Sequence, residues 1–263
     1  MDGIADYQFV RLVEEANYGD YYLARTPARL PLDAEYVLVK VVPGSADDAT
    51  FRRATRELRH FALARSDKLV SLYDAGRQAG TFYYAMEYLE LGSLRAPARP
   101  LSRAETLRAV ADAAEAAHAL HETGIVHRDI KPANVLLHAG GGKLSDLGLS
   151  QLLAPGMVFT GMGQLGLEFT DPAILLGGEA SRATDIWSLG ATLHKALTGQ
   201  SVYGELPSTE PLLLVRAILA ADARPHSSLD PQAAAFVASC VHADTTQRPG
   251  TAAAVADQIR ALS

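Results

Sequence analysis

The sequence predicts an α+β protein of two lobes: a small, mainly antiparallel β lobe over residues 1–88 and a larger, mainly α lobe over residues 89–263. Two observations carry this prediction. Short apolar runs broken by Asn, Gly and Pro dominate the first third, whereas Ala- and Leu-rich stretches long enough for several helical turns occupy much of the remainder. With 48% hydrophobic and 21% charged residues, the 263-residue chain can also bury the core that such an arrangement needs.

In the first lobe, residues 7–15, 20–25 and 36–42 read as strands, divided by Asn17-Tyr18-Gly19 and by the loop that carries Pro27 and Pro31. Residues 46–65 lack Gly and Pro and set Ala54, Glu57, Phe61 and Ala64 at spacings of three and four, one face of a helix. Strands over 69–75 and 81–89 come next, joined by a turn from Gly76 to Gly80. Gly92, Pro97 and Pro100 then mark a short connection into the second lobe. Ser102 with Glu105 three residues on is a capping box, and its helix runs to Gly124, which suits a left-handed C-terminal cap. Val135-Leu136-Leu137 reads as a buried strand. Further helices start at Thr184, ending before Gly199, at Asp230-Pro231, an N-cap followed by a first-turn proline, and at Thr251, ending at Leu262.

Composition excludes several functions. Twenty-four basic against thirty acidic side chains give a net charge of −6, contrary to a binder of the nucleic-acid backbone. No stretch reaches the roughly 20 apolar residues of a membrane span, and the start has no leader-like basic and apolar run. We therefore expect a cytoplasmic protein with neither nucleic acid nor membrane as partner. Cys240 is the sole cysteine, so no internal disulfide forms, and its place in an apolar helix suits packing.

The chemistry concentrates in residues 127–137, HRDIKPANVLL, and in Ser145-Asp146-Leu147-Gly148. Transfer of a γ-phosphoryl group needs a carboxylate to orient the attacking hydroxyl, oxygen ligands for a hard cation, and positive charge near the developing negative charge. Asp129 suits the first role, Asn134 and Asp146 the second as Mg²⁺ ligands, and Lys131 the third.

These residues resemble the eukaryotic-type protein kinases, in particular their bacterial Ser/Thr branch, and the resemblance extends from about residue 7 to 262. The signature H-R-D-x-K-x-x-N stands as His127, Arg128, Asp129, Lys131 and Asn134, and D-F-G as Asp146-Leu147-Gly148. The resemblance implies the two-lobed protein-kinase-like fold, with one regulatory helix in the N-lobe, binding of ATP and Mg²⁺, and transfer to Ser/Thr hydroxyls of a protein substrate. It implies that Lys40, in Val37-Leu38-Val39-Lys40, holds the α- and β-phosphates and pairs with Glu57. Met86 takes the gatekeeper place, and Glu87 and Leu89 offer backbone groups to the adenine edge. Val13, Tyr21, Leu38 and Leu136 complete the nucleotide set. Asp185, opening Asp185-Ile186-Trp187, is expected to tie down the catalytic loop rather than to act chemically. Lys131 weighs against a small-molecule kinase of the same fold.

The departures from the family are specific. The glycine-rich loop retains Gly19, but Glu14, Ala16 and Tyr21 replace two glycines and a valine, and Leu38 stands where alanine is usual. All four changes bear on nucleotide binding and predict weaker or altered ATP affinity. The alternative function is a pseudokinase that acts as a scaffold or allosteric regulator with weak or no ATP turnover. A-P-E becomes Asp171-Pro172-Ala173, so Arg248 needs a partner other than the usual glutamate, with Asp171 and Glu179 both open. Gly166 stands where a threonine usually contacts the catalytic aspartate. Thr160 is expected to be phosphorylated and clamped near Arg128, with Arg52, Arg53, Arg56 or Arg59 available as helpers, although those arginines also suit a solvated helix face. Regulatory input is expected from a separate sensor or partner.

Overall fold

The computed structural model describes residues 2–15, 19–42, 48–146, 166–207 and 210–262. Ala16, Asn17, Tyr18, Leu147, Gly148 and Thr160, singled out above, lie outside the described residues, as does the start of the helix expected from residue 46.

Two compact units divide the chain: one takes in the residues up to Leu63 together with Val70–Tyr88, the other Ala64–Leu69 and the described residues from Leu89 onward. The first unit holds strands β1 (Gly3–Ile4), β2 (Tyr7–Glu14), β3 (Asp20–Arg25), β4 (Tyr36–Val42), β5 (Leu72–Gln78) and β6 (Thr81–Glu87), with helix α1 (Asp48–Leu63). The six strands form one antiparallel sheet in the order β1-β2-β3-β4-β6-β5. Strand β4 lies inside it, and Val37, Val39 and Val41 are buried, as β-branched residues in a central strand should be, together with Leu38. Helix α1 sends Ala54, Leu58 and Phe61 inward and leaves Arg52, Arg56 and Arg59 exposed; Ala64, expected on the same face, lies just past its end.

One expectation needs correction here. The strand expected over 69–75 runs instead from Leu72 to Gln78, and the turn is confined to Ala79-Gly80. Gly76 is a strand residue because its missing side chain makes room for Tyr83: a Cβ there would lie 2.4 Å from the Tyr83 hydroxyl. Leu69 bridges to Leu144 in the second unit instead of joining β5.

The second unit contains helix α2 (Arg103–Glu122), the hairpin β7 (Val135–His138) and β8 (Gly141–Leu144), and helices α3 (Pro172–Leu175), α4 (Arg182–Thr198), α5 (Pro211–Ala220), α6 (Pro231–Cys240) and α7 (Ala252–Arg260). Ser102 and Glu105 form the expected reciprocal cap on α2, and Gly124 takes the left-handed conformation beyond it. Helix α4 starts two residues before Thr184, because Ser181 is the N-cap and Thr184 closes its box. Asp230 caps α6 ahead of Pro231, and Thr251 caps α7. The short β8 was hidden by Gly141-Gly142, a pair that the hairpin needs for close approach to α2. A Cβ on Gly142 would sit 2.7 Å from the Ala109 carbonyl oxygen. That packing fixes the hairpin, and with it the residues at its two ends. No described helix is long and apolar enough to cross a membrane.

Candidate active site

The hairpin sets the geometry. Val135 pairs with Leu144, so Asn134, just before β7, faces Ser145, just after β8, and the Ser145 amide donates to the Asn134 carbonyl at 2.9 Å. Asn134 and Asp146 are thus held at one end of a two-stranded ribbon, both side chains buried. The loop before Asn134 is anchored from beneath by the buried Asp185 on α4. Its carboxylate accepts the backbone N–H groups of His127 at 2.8 Å and Arg128 at 2.9 Å, and His121 Nε2 lies 2.8 Å away. Arg128 and Asp146 have φ of 71° and 55°, a region that non-glycine residues occupy at a cost of order 1–3 kcal/mol. Such strain persists only where the surroundings impose it; Asp185 supplies that constraint at Arg128.

Above this anchor, Lys131 Nζ donates to both carboxylate oxygens of Asp129, at 2.9 and 2.8 Å. Asn134 Nδ2 donates to the same carboxylate at 2.9 Å and to the Asp129 carbonyl at 2.7 Å. With its nitrogen so engaged, the Asn134 amide presents its oxygen as the remaining polar atom. That oxygen and the Asp146 carboxylate are hard donors of the kind Mg²⁺ prefers. Gly166 lies against the same pair: a Cβ on it would be 3.6 Å from Lys131 Nζ and 4.0 Å from Asp129 Oδ1, and its φ of +148° is one that L side chains rarely adopt.

His127 is fully buried and satisfied at both ring nitrogens, with Nε2 3.0 Å from the Ser145 carbonyl and Nδ1 accepting the Asp129 amide at 3.3 Å. Burial holds its pKa below the ordinary 6.5. His194 is alike: burial lowers its pKa, Nδ1 faces the Gln200 carbonyl at 3.0 Å, and Nε2 accepts the His226 amide at 2.8 Å. Because both folded-state pKa values lie below the unfolded one, the unfolded chain takes up these protons first. Their contribution to stability is complete above about pH 6.5 and is lost as pH falls through the folded values. Urea midpoints should therefore decline from pH 7.5 toward pH 5.5, and His194→Gln should flatten the slope; a slope that the variant leaves unchanged would contradict this origin.

In the first unit, Lys40 is buried on β4 opposite Tyr21 of β3, with Nζ 4.7 Å from the Tyr21 ring centroid and 5.9 Å from that of Tyr84. Leu38 pairs with Met86 across β4 and β6, both buried. The Glu87 amide donates to the Ser71 carbonyl at 2.9 Å. Val13 is exposed on β2. Glu57 is half-buried on α1. Leu89 and Leu136 belong to the second unit.

The question of Arg248 is resolved in favour of Asp171. The guanidinium pairs with the Asp171 carboxylate, both side chains 2% exposed, and also donates to the Ala183 and His242 carbonyls at 2.8 Å each. The carboxylate missing from position 173 is supplied from position 171, which also caps α3 through the Ala173 amide. Sequence reading overlooked His121 as a ligand of Asp185. A histidine in the last turn of an Ala-rich helix, with a second at 118, gives no pattern to find it by.

Residues 18–259 match the family model described as the protein kinase domain. The serine/threonine-protein kinase PrkC of Bacillus subtilis is 32% identical over 200 residues, covering 74% of this chain and 30% of PrkC. PknK of Mycobacterium tuberculosis is 32% identical over 259 residues, covering 94% of this chain and 23% of PknK. The chain thus spans a third or less of the length of these two relatives. A crystal structure of the PknI kinase domain from Mycobacterium tuberculosis superposes with a TM-score of 0.70 over 99% of this chain and 98% of that one, at 21% identity, a likeness of fold.

Proposed function

The chain belongs to the protein kinase domain family, and from that premise we propose that it transfers the γ-phosphoryl group of ATP to serine and threonine hydroxyls of protein substrates. One observation supports this reading above the others: the Asp129 carboxylate is held by Lys131 and Asn134 on a loop that Asp185 pins. The serine/threonine kinases among its relatives point the same way.

In this reading Asp129 receives the acceptor hydroxyl and takes its proton as the oxygen attacks. Lys131, already neutralising Asp129, offers its charge to the transferring group. Asn134 and Asp146 would hold Mg²⁺, which when bound neutralises phosphate charge. Lys40 binds the nonterminal phosphates, and Val13, Tyr21, Leu38, Met86, Glu87, Leu89 and Leu136 contact the nucleotide, with Glu57 positioning Lys40. The division at residues 88 and 89, a separate regulatory partner, and action in the cytoplasm, where ATP is supplied, belong to the same proposal. Catalysis rests on positioning and preset charge rather than on covalent chemistry.

Label from γ-labelled ATP should pass to a serine- and threonine-containing protein in the presence of Mg²⁺ and stop on chelation. Transfer that ignores chelation would refute the assignment of Asn134 and Asp146. Tyr21 gives a second check. Its ring competes with phosphate for the Lys40 ammonium, an attraction of order 0.5–2 kcal/mol. Tyr21→Val should therefore tighten Mg-ATP binding by about three- to tenfold in calorimetry; unchanged or weaker binding would count against that competition.

A further inference from the structure

Where the first turns of α2 face the β7–β8 hairpin, the second unit has a cleft of about 420 Å³, its open mouth included. Leu91, Leu101 and Leu137 give it apolar walls, and His138 and Arg108 line it with donors. His138 Nδ1 accepts the Gly140 amide at 3.1 Å, so the ring carries its hydrogen on Nε2. That N–H is buried and finds no acceptor among the described residues, a bond that is costly to leave unmade. Arg108 is exposed and has no ion-pair partner among the described residues. Its stem lies at the same end of the cleft, because Gly141 pairs with His138 in the hairpin and a Cβ on Gly141 would be 3.4 Å from Arg108 Cγ. The neighbouring carboxylates are committed elsewhere. Glu105 accepts from Arg99 and from the Ser102 amide, while Asp112 accepts the Gly142 amide at 3.0 Å and lies 3.8 Å from Lys68 and 4.0 Å from Arg260. The Arg108 charge and the His138 N–H are thus left together beside an apolar wall.

We propose that this cleft binds a small monocarboxylate with an apolar body, whose oxygens accept from His138 Nε2 and the Arg108 guanidinium while the body lies against Leu91, Leu101 and Leu137. Apolar walls with a few convergent polar groups are the composition of a small-molecule site. A carboxylate suits the donors better than a neutral acceptor does, because bonds to an ionised partner are the stronger ones. The single uncompensated cation matches a monoanion; the second charge of a phosphate ester would meet Glu105 and Asp112. A peptide strand has no ladder to join there. The Leu137 amide already donates to the Gly92 carbonyl at 2.8 Å, and Ser93 bridges to Leu136, so the outer edge of β7 is taken. None of these residues belongs to the catalytic loop, so the proposal stands apart from the phosphotransfer reading.

Hexanoate serves as the probe, titrated into the whole chain labelled with heavy nitrogen for NMR. The Gly140 and Gly141 amide resonances should shift saturably with a Kd of about 0.1–1 mM, the range open to a ligand of about eight heavy atoms. Hexanamide, which keeps the shape and loses the charge, should bind about tenfold more weakly, and acetate, which lacks the body, should not saturate by about 20 mM. His138→Phe and Arg108→Gln should each weaken hexanoate about tenfold. Leu101→Trp, which fills the cleft, should abolish the shifts. Thermal midpoints within about 2 °C of wild type show that the variants fold, and Arg108→Gln, at an exposed side chain, keeps the test valid where His138→Phe does not fold. No saturation by hexanoate at about 20 mM, or equal binding of hexanoate and hexanamide, would overturn the proposal. So would an acidic leucine-containing peptide that shifts the same amides where hexanoate does not, since the cleft would then belong to a protein partner.

Discussion

Asp129→Asn is expected to lower the rate of phosphoryl transfer by about 10²–10⁴ while leaving Mg-ATP affinity within about twofold. The substitution keeps shape and one acceptor oxygen but removes the basicity that the acceptor hydroxyl needs. It also leaves the Lys131 ammonium, which now donates to both Asp129 oxygens, without a carboxylate. The loop should hold its course, because Asp185 grips the amides of His127 and Arg128 and not the Asp129 side chain. Initial rates at saturating Mg-ATP, beside calorimetric affinities, check the pair of expectations. A variant rate within tenfold of wild type would show that Asp129 has been given the wrong role.

Arg248→Ala is expected to destabilise the second unit by about 3–5 kcal/mol, the usual consequence of stranding one partner of a buried ion pair. Asp171 would keep its charge at 2% exposure, and the carbonyls of Ala183 and His242 would lose their donor. Arg248→Lys should recover only part, since one ammonium cannot reproduce a guanidinium that serves three acceptors. Adding Asp171→Asn to Arg248→Ala should restore some of the loss by removing the stranded charge. Urea unfolding gives the numbers, and a cost below about 1 kcal/mol for Arg248→Ala would mean that the pair is better solvated than its burial implies.

Much of the fold was legible because local rules and tertiary structure agree. The Ser102–Glu105 box, Gly124, Asp230-Pro231 and Thr251 act where their chemistry predicts, and β3 and β4 match their expected bounds. The misreading of β5 has a physical source: Gly76 signals a turn locally, yet its role is to accommodate Tyr83, a contact that periodicity does not encode. Helices α3 and α5 escaped for related reasons. The first is a single turn capped by Asp171, and the second is a nearly unbroken apolar run with no clean polar face. At the site, the mutual contacts of Asp129, Lys131 and Asn134 were legible because the three lie within six residues of one loop that leads into the hairpin. Arg248 shows the intermediate case: sequence narrowed its partner to two carboxylates, and packing chose Asp171.

Phosphoamino-acid analysis of a protein acceptor, after incubation of the wild-type chain with Mg²⁺ and γ-labelled ATP, tests the central claim most directly. Label on phosphoserine and phosphothreonine is the predicted result. A folded protein that leaves the acceptor unlabelled, or that labels tyrosine alone, would contradict the account.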